Sequence, residues 1–301
     1  GGIRTDNSNF TMSGTVEIFE NKAITRASDK SGGYAGGIYI MGDKTETLKI
    51  TGGKIYNNTA EVNSGAISFT SSSVDNMGLL ELTDVEIFGN TAPAYGAIMV
   101  NTPAKMVMSG GRIYNNTATI GVGGGLHVQG QFVMEGGEIF ENNAQRGGGI
   151  FASGEQSSIT INGGIISENT VKQSGGGIYL NNSVLNMTDG EITDNVSEAN
   201  ENVMAVGGGG IFASGEQSSI TISGGNISEN RAVANGGAIH AENIEKITIS
   251  GVNTLISNNK TGRRLADGSA EIKRYGGGIF TVNTDVDFSD AEIFDNESIV
   301  W

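Results

Sequence analysis

The sequence contains no cysteine and only two prolines, Pro93 and Pro103, among its 301 residues. The absence of cysteine excludes disulfide bonds and thiolate chemistry, and it leaves the redox compartment undetermined. Because proline is scarce, few backbone N–H groups are missing, so long strand ladders can form without interruption. The sequence also has no secretion signal, no sorting motif and no apolar run of roughly 18 residues. We therefore expect no direct membrane insertion by this stretch.

Positive charge and helical periodicity are scarce as well. The chain has 18 Lys and Arg against 33 Asp and Glu, a formal net charge of −15. Such a balance disfavours nucleic acid and anionic membranes as partners, because both repel an acidic surface. No segment has a sustained helical period, and each of the 48 glycines would weaken a helix by about 1 kcal/mol relative to alanine. Strands and turns are therefore the expected structure.

What the sequence has in abundance is a repeated unit, seen most clearly over residues 148–169, GGIFASGEQSSITINGGIISEN. Each unit opens with Gly-Gly or Gly-Ala and an aliphatic residue. Two apolar residues one apart follow, and an Ile-x-x-Asn motif closes the unit. The motif recurs along the whole chain, as Ile18/Asn21, Ile55/Asn58, Ile87/Asn90, Ile113/Asn116, Ile139/Asn142, Ile166/Asn169, Ile192/Asn195, Ile227/Asn230, Ile256/Asn259 and Ile293/Asn296.

This repeat predicts an all-β solenoid. Its length of roughly 24 to 40 residues, with short alternating apolar runs and Gly-rich turns, is typical of stacked β-coils. The strong preference for right-handed crossovers then predicts a right-handed parallel β-helix of about ten three-strand coils. Because each coil contacts only its neighbours, we expect one domain over residues 1–301. The first residues fall within a repeat, so we also expect a fragment of a longer repeat protein.

The asparagines of the Ile-x-x-Asn motifs predict an internal amide ladder. Each side chain is expected to turn inward and to bond the backbone or the next asparagine. A buried amide without a partner would cost about 1–3 kcal/mol, so the asparagine ladder should be continuous.

The residue after each opening aliphatic should point outward, because side chains alternate along a strand. From His127 onward this outward row contains only aromatic residues and histidine, which predicts stacked rings. If exposed, the row would also offer a ligand-binding platform, and stacking alone is the alternative. Both histidines belong to this row and lie in separate coils, which argues against a zinc site. The candidate ligand-binding residues are Tyr39, His127, Phe151, Tyr179, Phe212, His240 and Phe280.

A second row follows the isoleucine of each Ile-x-x-Asn motif, and the sequence leaves open whether its rings point outward or inward. In chain order it reads Phe19, Tyr56, Phe88, Tyr114, Phe140, Ser167, Thr193, Ser228, Ser257 and Phe294.

The longest connection, over residues 260–276, reverses the local charge. It holds five of the 18 basic residues. A solvated loop explains such a cluster, and a contact with an anion or a protein partner is the alternative. The candidate partner-binding residues are Lys260, Arg263, Arg264, Lys273 and Arg274.

Gly36-Gly37-Ile38-Tyr39, Gly236-Gly237-Ala238-Ile239 and the ten Ile-x-x-Asn motifs resemble the GGA[ILV] and FxxN tetrapeptides of polymorphic-outer-membrane-protein-type adhesins. Isoleucine stands here where that family has phenylalanine. The resemblance extends over essentially the whole chain. It implies a right-handed β-helix on a cell-surface or secreted protein, with adhesion as the usual role.

Three functions follow as hypotheses. The first is a surface stalk or adhesin that binds glycans or proteins of a host or neighbouring cell, without catalysis, cofactor or metal. The second is a polysaccharide lyase or glycoside hydrolase, because β-helices commonly host these enzymes. Acid–base hydrolysis needs two carboxylates roughly 5–9.5 Å apart, and Asp189, Glu191 and Asp194 are the nearest candidates. The third is a spacer without any ligand.

Overall fold

The chain winds into ten coils of short parallel strands in a computed structural model that describes residues 1–26, 28, 32–198, 207–262 and 275–298. The prediction of an all-β parallel β-helix is confirmed, and the described residues contain no helix. Accordingly, no helix in this part of the chain could span a membrane. Each coil has a first, second, third and fourth strand in chain order, one more than the sequence predicted.

The strands form three parallel sheets. The first strands build one ten-stranded sheet, with bounds Ile3–Asp6, Ile38–Gly42, Ile67–Ser71, Ile98–Val100, Leu126–Val128, Ile150–Ser153, Ile178–Asn181, Ile211–Ser214, Ile239–Glu242 and Ile279–Val282. The short fourth strands build another, with bounds Lys22–Ala23, Thr59–Ala60, Thr91–Ala92, Thr117–Ala118, Asn143–Arg146, Thr170–Ser174, Val196–Ser197, Arg231–Ala232, Lys260–Thr261 and Glu297–Ser298.

The second and third strands together make the remaining sheet of 18 strands. In coils 6 and 7 the two run together without a break, as Ser158–Ser167 and Val184–Thr193. The other second strands are Phe10–Met12, Leu48–Ile50, Leu79–Leu82, Lys105–Met108, Gln131–Met134, Ser219–Ile222, Lys246–Ser250 and Asp285–Ser289. The other third strands are Glu17–Phe19, Lys54–Tyr56, Glu86–Phe88, Arg112–Tyr114, Glu138–Phe140, Gly225–Ser228, Thr254–Ser257 and Glu292–Phe294.

Equivalent positions of successive coils lie directly over one another. Ile38, for example, pairs with Ile67, and Ile67 pairs with Ile98 in the next coil. The inward aliphatic side chains of all three apolar runs therefore stack on their equivalents and form one continuous core. In coils 2 to 9 these side chains are almost completely buried, whereas Ile3 and Ile293 in the end coils are 38% and 44% exposed.

The predicted asparagine ladder is present and continuous. Asn142 shows its geometry: Nδ2 donates to Oδ1 of Asn169 at 3.0 Å and to the carbonyl oxygen of Ile113 at 2.9 Å. The backbone N–H of Asn142 donates to the same Oδ1 at 3.0 Å. Equivalent Nδ2–Oδ1 hydrogen bonds of 2.9–3.0 Å join each pair of successive ladder asparagines from Asn21 to Asn296.

A left-handed residue before each ladder asparagine turns the amide into the core. At these positions φ lies between 51° and 63°, a conformation that favours glycine or asparagine. Four of the ten positions nevertheless hold glutamate, so the hydrogen bonds of the asparagine ladder must offset the backbone strain. The ten residues, here called the turn row, are Glu20, Asn57, Gly89, Asn115, Glu141, Glu168, Asp194, Glu229, Asn258 and Asp295.

Replacing a central ladder residue, Asn142→Ala, should lower the free energy of unfolding by about 2–4 kcal/mol, because the variant leaves the N–H groups of Asn116 and the carbonyl oxygen of Ile113 without their partner. Urea unfolding followed by circular dichroism measures the change. Asn186→Ala, at an exposed outward position of the strand Val184–Thr193 two coils away, is the matched control and should shift the midpoint little. Equal midpoints for the two variants would contradict a stabilising ladder.

Candidate functional site

The outward row of the first sheet is buried, contrary to the sequence-based expectation of an exposed platform. Its central side chains are 1–8% exposed, so they are not available to a ligand in this conformation. They are His127, Phe151, Tyr179, Phe212 and His240. Of the candidate ligand-binding residues, Tyr39 and Phe280 at the two ends are partly exposed.

Side chains at the end of the fourth strand and in the connection to the next coil cover this row. The ring of Tyr95 lies 4.0 Å from that of His127, and Val122 packs against the neighbouring rings. The guanidinium of Arg146 lies over Phe151 and Tyr179, at 5.9 and 5.5 Å from the ring centroids. These contacts depend on how the connections between coils fold, and the alternation of side chains along the first strand does not reveal that fold. The rings from His127 to Phe280 are in contact, with centroids 4.7–5.5 Å apart, but the predicted stacking is limited to Phe151 and Tyr179. The ring of His240 meets those of Phe212 and Phe280 edge to face.

Burial keeps His127 neutral. It lowers the pKa of the imidazole from 6.5 to about 3, because a charged ring would lose its hydration. The Nε2 atom lies 3.2 Å from the Ser153 hydroxyl. Among the described residues, no group of three or more His, Asp or Glu side chains could hold a metal ion.

The exposed aromatic surface belongs to the third strands instead. Each of these short strands points its isoleucine inward, so the residues on either side of the isoleucine point outward. In coils 1 to 5 the residue after the isoleucine is aromatic, and successive rings are 4.9–5.0 Å apart with planes within 13° of parallel. Phe19 is 44% exposed and the other rings are half-buried. We call this set the ring column: Phe19, Tyr56, Phe88, Tyr114 and Phe140.

A row of alternating charge runs beside the ring column. The residue before each inward isoleucine is negative in coils 1, 3 and 5 and positive in coils 2 and 4. Two ion pairs join neighbours in this row, Lys54 with Glu86 at 3.3 Å and Arg112 with Glu138 at 3.1 Å. The first pair raises the pKa of Lys54. We call this set the charge row: Glu17, Lys54, Glu86, Arg112 and Glu138.

The ring column and the charge row both stop after coil 5. The ring position becomes Ser167, Thr193, Ser228 and Ser257 in coils 6 to 9, and a shallow groove of about 370 Å³ opens beside it. The groove is lined by the side chains of Ile165, Asp189, Glu191, Asn226, Asn253 and Leu255, together with backbone at the glycine corners. None of these lining residues is basic.

The groove brings together only two of the three carboxylates considered for catalysis. Asp189 and Glu191 line it, and Oδ1 of Asp189 accepts a hydrogen bond of 2.8 Å from the backbone of Gly190. Asp194 is not among the lining residues; it belongs to the turn row and accepts a hydrogen bond from the Thr193 hydroxyl at 3.1 Å.

Most of the predicted basic partner site lies outside the described residues. Lys260 is exposed at the start of a fourth strand, beside Arg231 and Glu297 of the adjacent coils. The rest of that prediction concerns residues that the structure does not describe, namely Arg263, Arg264, Lys273 and Arg274.

The buried imidazole predicts a pH-dependent stability. The unfolded state binds a proton below about pH 6.5, whereas His127 in the folded state does so only near pH 3, so stability is lost as the pH falls between these values. The loss attributable to this group should approach about 1.4 kcal/mol per pH unit. His127→Phe should remove this component, which urea unfolding at pH 7 and pH 5 would measure. Parallel pH profiles of the two proteins would contradict the prediction.

Comparison with known proteins agrees with this architecture. A family model described as a right-handed β-helix region matches residues 36–224, more than half of the chain. The chain matches no curated protein and no solved structure. The family match and the stacked parallel coils identify the chain as a member of the right-handed β-helix family.

Proposed function

We propose that this β-helix is a non-catalytic, adhesin-like domain of a cell-surface or secreted protein, and that its ring column binds a ligand of a host or neighbouring cell. The single observation that carries the proposal is a row of five parallel, partly exposed rings held at constant spacing on a rigid scaffold. Exposed aromatic side chains are enriched where proteins bind partners.

The fold does not need these rings. Ser167, Thr193, Ser228 and Ser257 occupy the same position in coils 6 to 9, where the core and the asparagine ladder are equally complete. The rings of coils 1 to 5 lie outside the core and add nothing to it. A surface function therefore explains them better than core packing does.

The arrangement of the rings favours a protein ligand over a stacked sugar. Neighbouring rings are parallel and turn their faces toward one another, so the column presents mainly ring edges and the Tyr114 hydroxyl to solvent, while the Tyr56 hydroxyl donates to Glu17 at 3.2 Å. A sugar that stacks on an aromatic side chain needs a free ring face. Ring edges and flanking charges suit the mixed apolar and polar surface of a protein.

An enzyme remains the alternative, because β-helix domains occur in adhesins and also in lyases and hydrolases. The groove with Asp189 and Glu191 is the feature that would favour catalysis. Elimination from a uronate polymer requires a cation to neutralise the substrate carboxylate, and none of the described residues that line the groove is basic. We therefore favour binding.

An array of glycans and extracellular proteins, probed with this chain and with Tyr114→Ser, tests the proposal. Serine is the residue that coil 6 carries at the same position, so the coil should remain folded. We expect at least one protein to bind, with affinity lowered about tenfold or more in the variant. Val107→Ser, a half-buried outward residue of the second strand, is the control and should bind normally.

Two results would contradict the proposal. Binding to no array member, this chain itself included, would favour a spacer. Cleavage of a uronate polymer or another polysaccharide, measured on the same sample, would favour the enzyme.

A further inference from the structure

We infer that the ring column and the charge row bind a second copy of this chain, in the opposite direction, about a two-fold axis between coils 3 and 4. This inference rests on the proposed function, because it names the partner of the same surface. It is argued from the order of the charges, the alternatives that this order excludes, and the size of the surface.

The charge row is self-complementary when it is reversed. Its sign alternates from coil to coil, and the coils are spaced by about 4.8 Å. When two copies meet face to face with their rods running in opposite directions, a two-fold axis between two coils places each charge opposite an unlike charge of the other copy. The side chains of Lys54, Glu86, Arg112 and Glu138 are 34–55% exposed, so they can reach a partner.

With the axis between coils 3 and 4, Glu86 faces Arg112 of the second copy, and Lys54 faces Glu138 of the second copy. Each contact occurs twice by symmetry. The ring columns then meet edge to edge, with coil 2 against coil 5 and coil 3 against coil 4. Phe19, the most exposed ring, extends over Ser167 of the second copy, where a short side chain leaves room.

Other arrangements of the same two faces are less favourable. An axis through coil 3 would place Lys54 against Arg112. A parallel pair, with a two-fold axis along the ring column, would leave the two charge rows on opposite sides of the rings, so their charges would not meet. An axis between coils 2 and 3 also opposes unlike charges, but it leaves Phe140 uncovered.

The chosen arrangement covers all five rings of each copy. Its one like-charge approach, Glu20 with Glu168 of the second copy, lies at the exposed rim of the outermost coil pair, where salt screens it.

The contact is small, so a single pair should be weak. From coil 1 to coil 6 it is about 24 Å long and one strand face wide, which is less than the roughly 800 Å² per partner of a typical stable complex. Many copies on two opposed surfaces would strengthen it through multivalency. The antiparallel direction suits rods that project toward each other from neighbouring cells.

Sedimentation equilibrium of the full chain, at increasing protein concentration and low ionic strength, tests the inference. We expect a reversible dimer that weakens as salt is added. Glu86→Arg and Arg112→Glu should each weaken dimerisation about tenfold or more, because each variant opposes like charges twice. An equimolar mixture of the two variants should recover the dimer, since the introduced arginine then faces the introduced glutamate.

The mixture separates an interface from an effect on folding. Glu86→Arg loses the ion pair with Lys54 of its own chain, and Arg112→Glu loses the ion pair with Glu138. Mixing the variants does not restore either pair. The control is Glu81→Arg, which breaks the 2.7 Å ion pair with Lys49 on the second-strand face and should leave dimerisation unchanged.

A monomer at all concentrations, or a mixture no better than its components, would overturn the inference. If Tyr114-dependent binding on the array persisted in that case, the proposed function would stand and only self-association would fail.

Discussion

The hydrogen bond from each ladder asparagine to the next is the interaction on which the rest of the structure depends. It holds only when coils stack in register, because each Oδ1 must meet both the backbone N–H and the Nδ2 of the preceding asparagine. A shift of one residue would break this pairing and would also turn the inward isoleucines toward solvent. The amide ladder and the aliphatic core therefore enforce the same register, and the left-handed turn residues are tolerated in consequence.

Because the coils stack in strict register, the residues at one position of successive coils form a column along the rod. The ring column and the charge row arise in this way, since each coil contributes one residue at a fixed spacing. The same position carries short hydroxyl side chains in coils 6 to 9, and the groove opens there. Surface chemistry can therefore change between blocks of coils while the interior stays the same.

The sequence was sufficient to predict the interior, because its signal is local and repeated. Ile139 and Asn142 could be placed inside from the spacing alone, and the structure confirms both. The burial of Phe151 could not be predicted, because Arg146 covers it from the end of a fourth strand, and alternation along the first strand does not reveal that contact. Thr59–Ala60, a fourth strand of two residues, is too short to show a period. The sequence does not decide the direction of Tyr56, because this residue lies next to a left-handed turn.

The two aromatic rows show why exposure, rather than composition, marks the candidate site. The rings of the first sheet lie under side chains from the connections between coils and stabilise adjacent coils. The ring column is partly exposed and can contact another molecule. Electrostatics then limits what can approach, because a net charge of −15 makes two copies repel one another at long range. At physiological salt this repulsion fades beyond about 8 Å, so local charges decide the contact. A face on which lysine and arginine alternate with glutamate is the surface where two such acidic rods can meet.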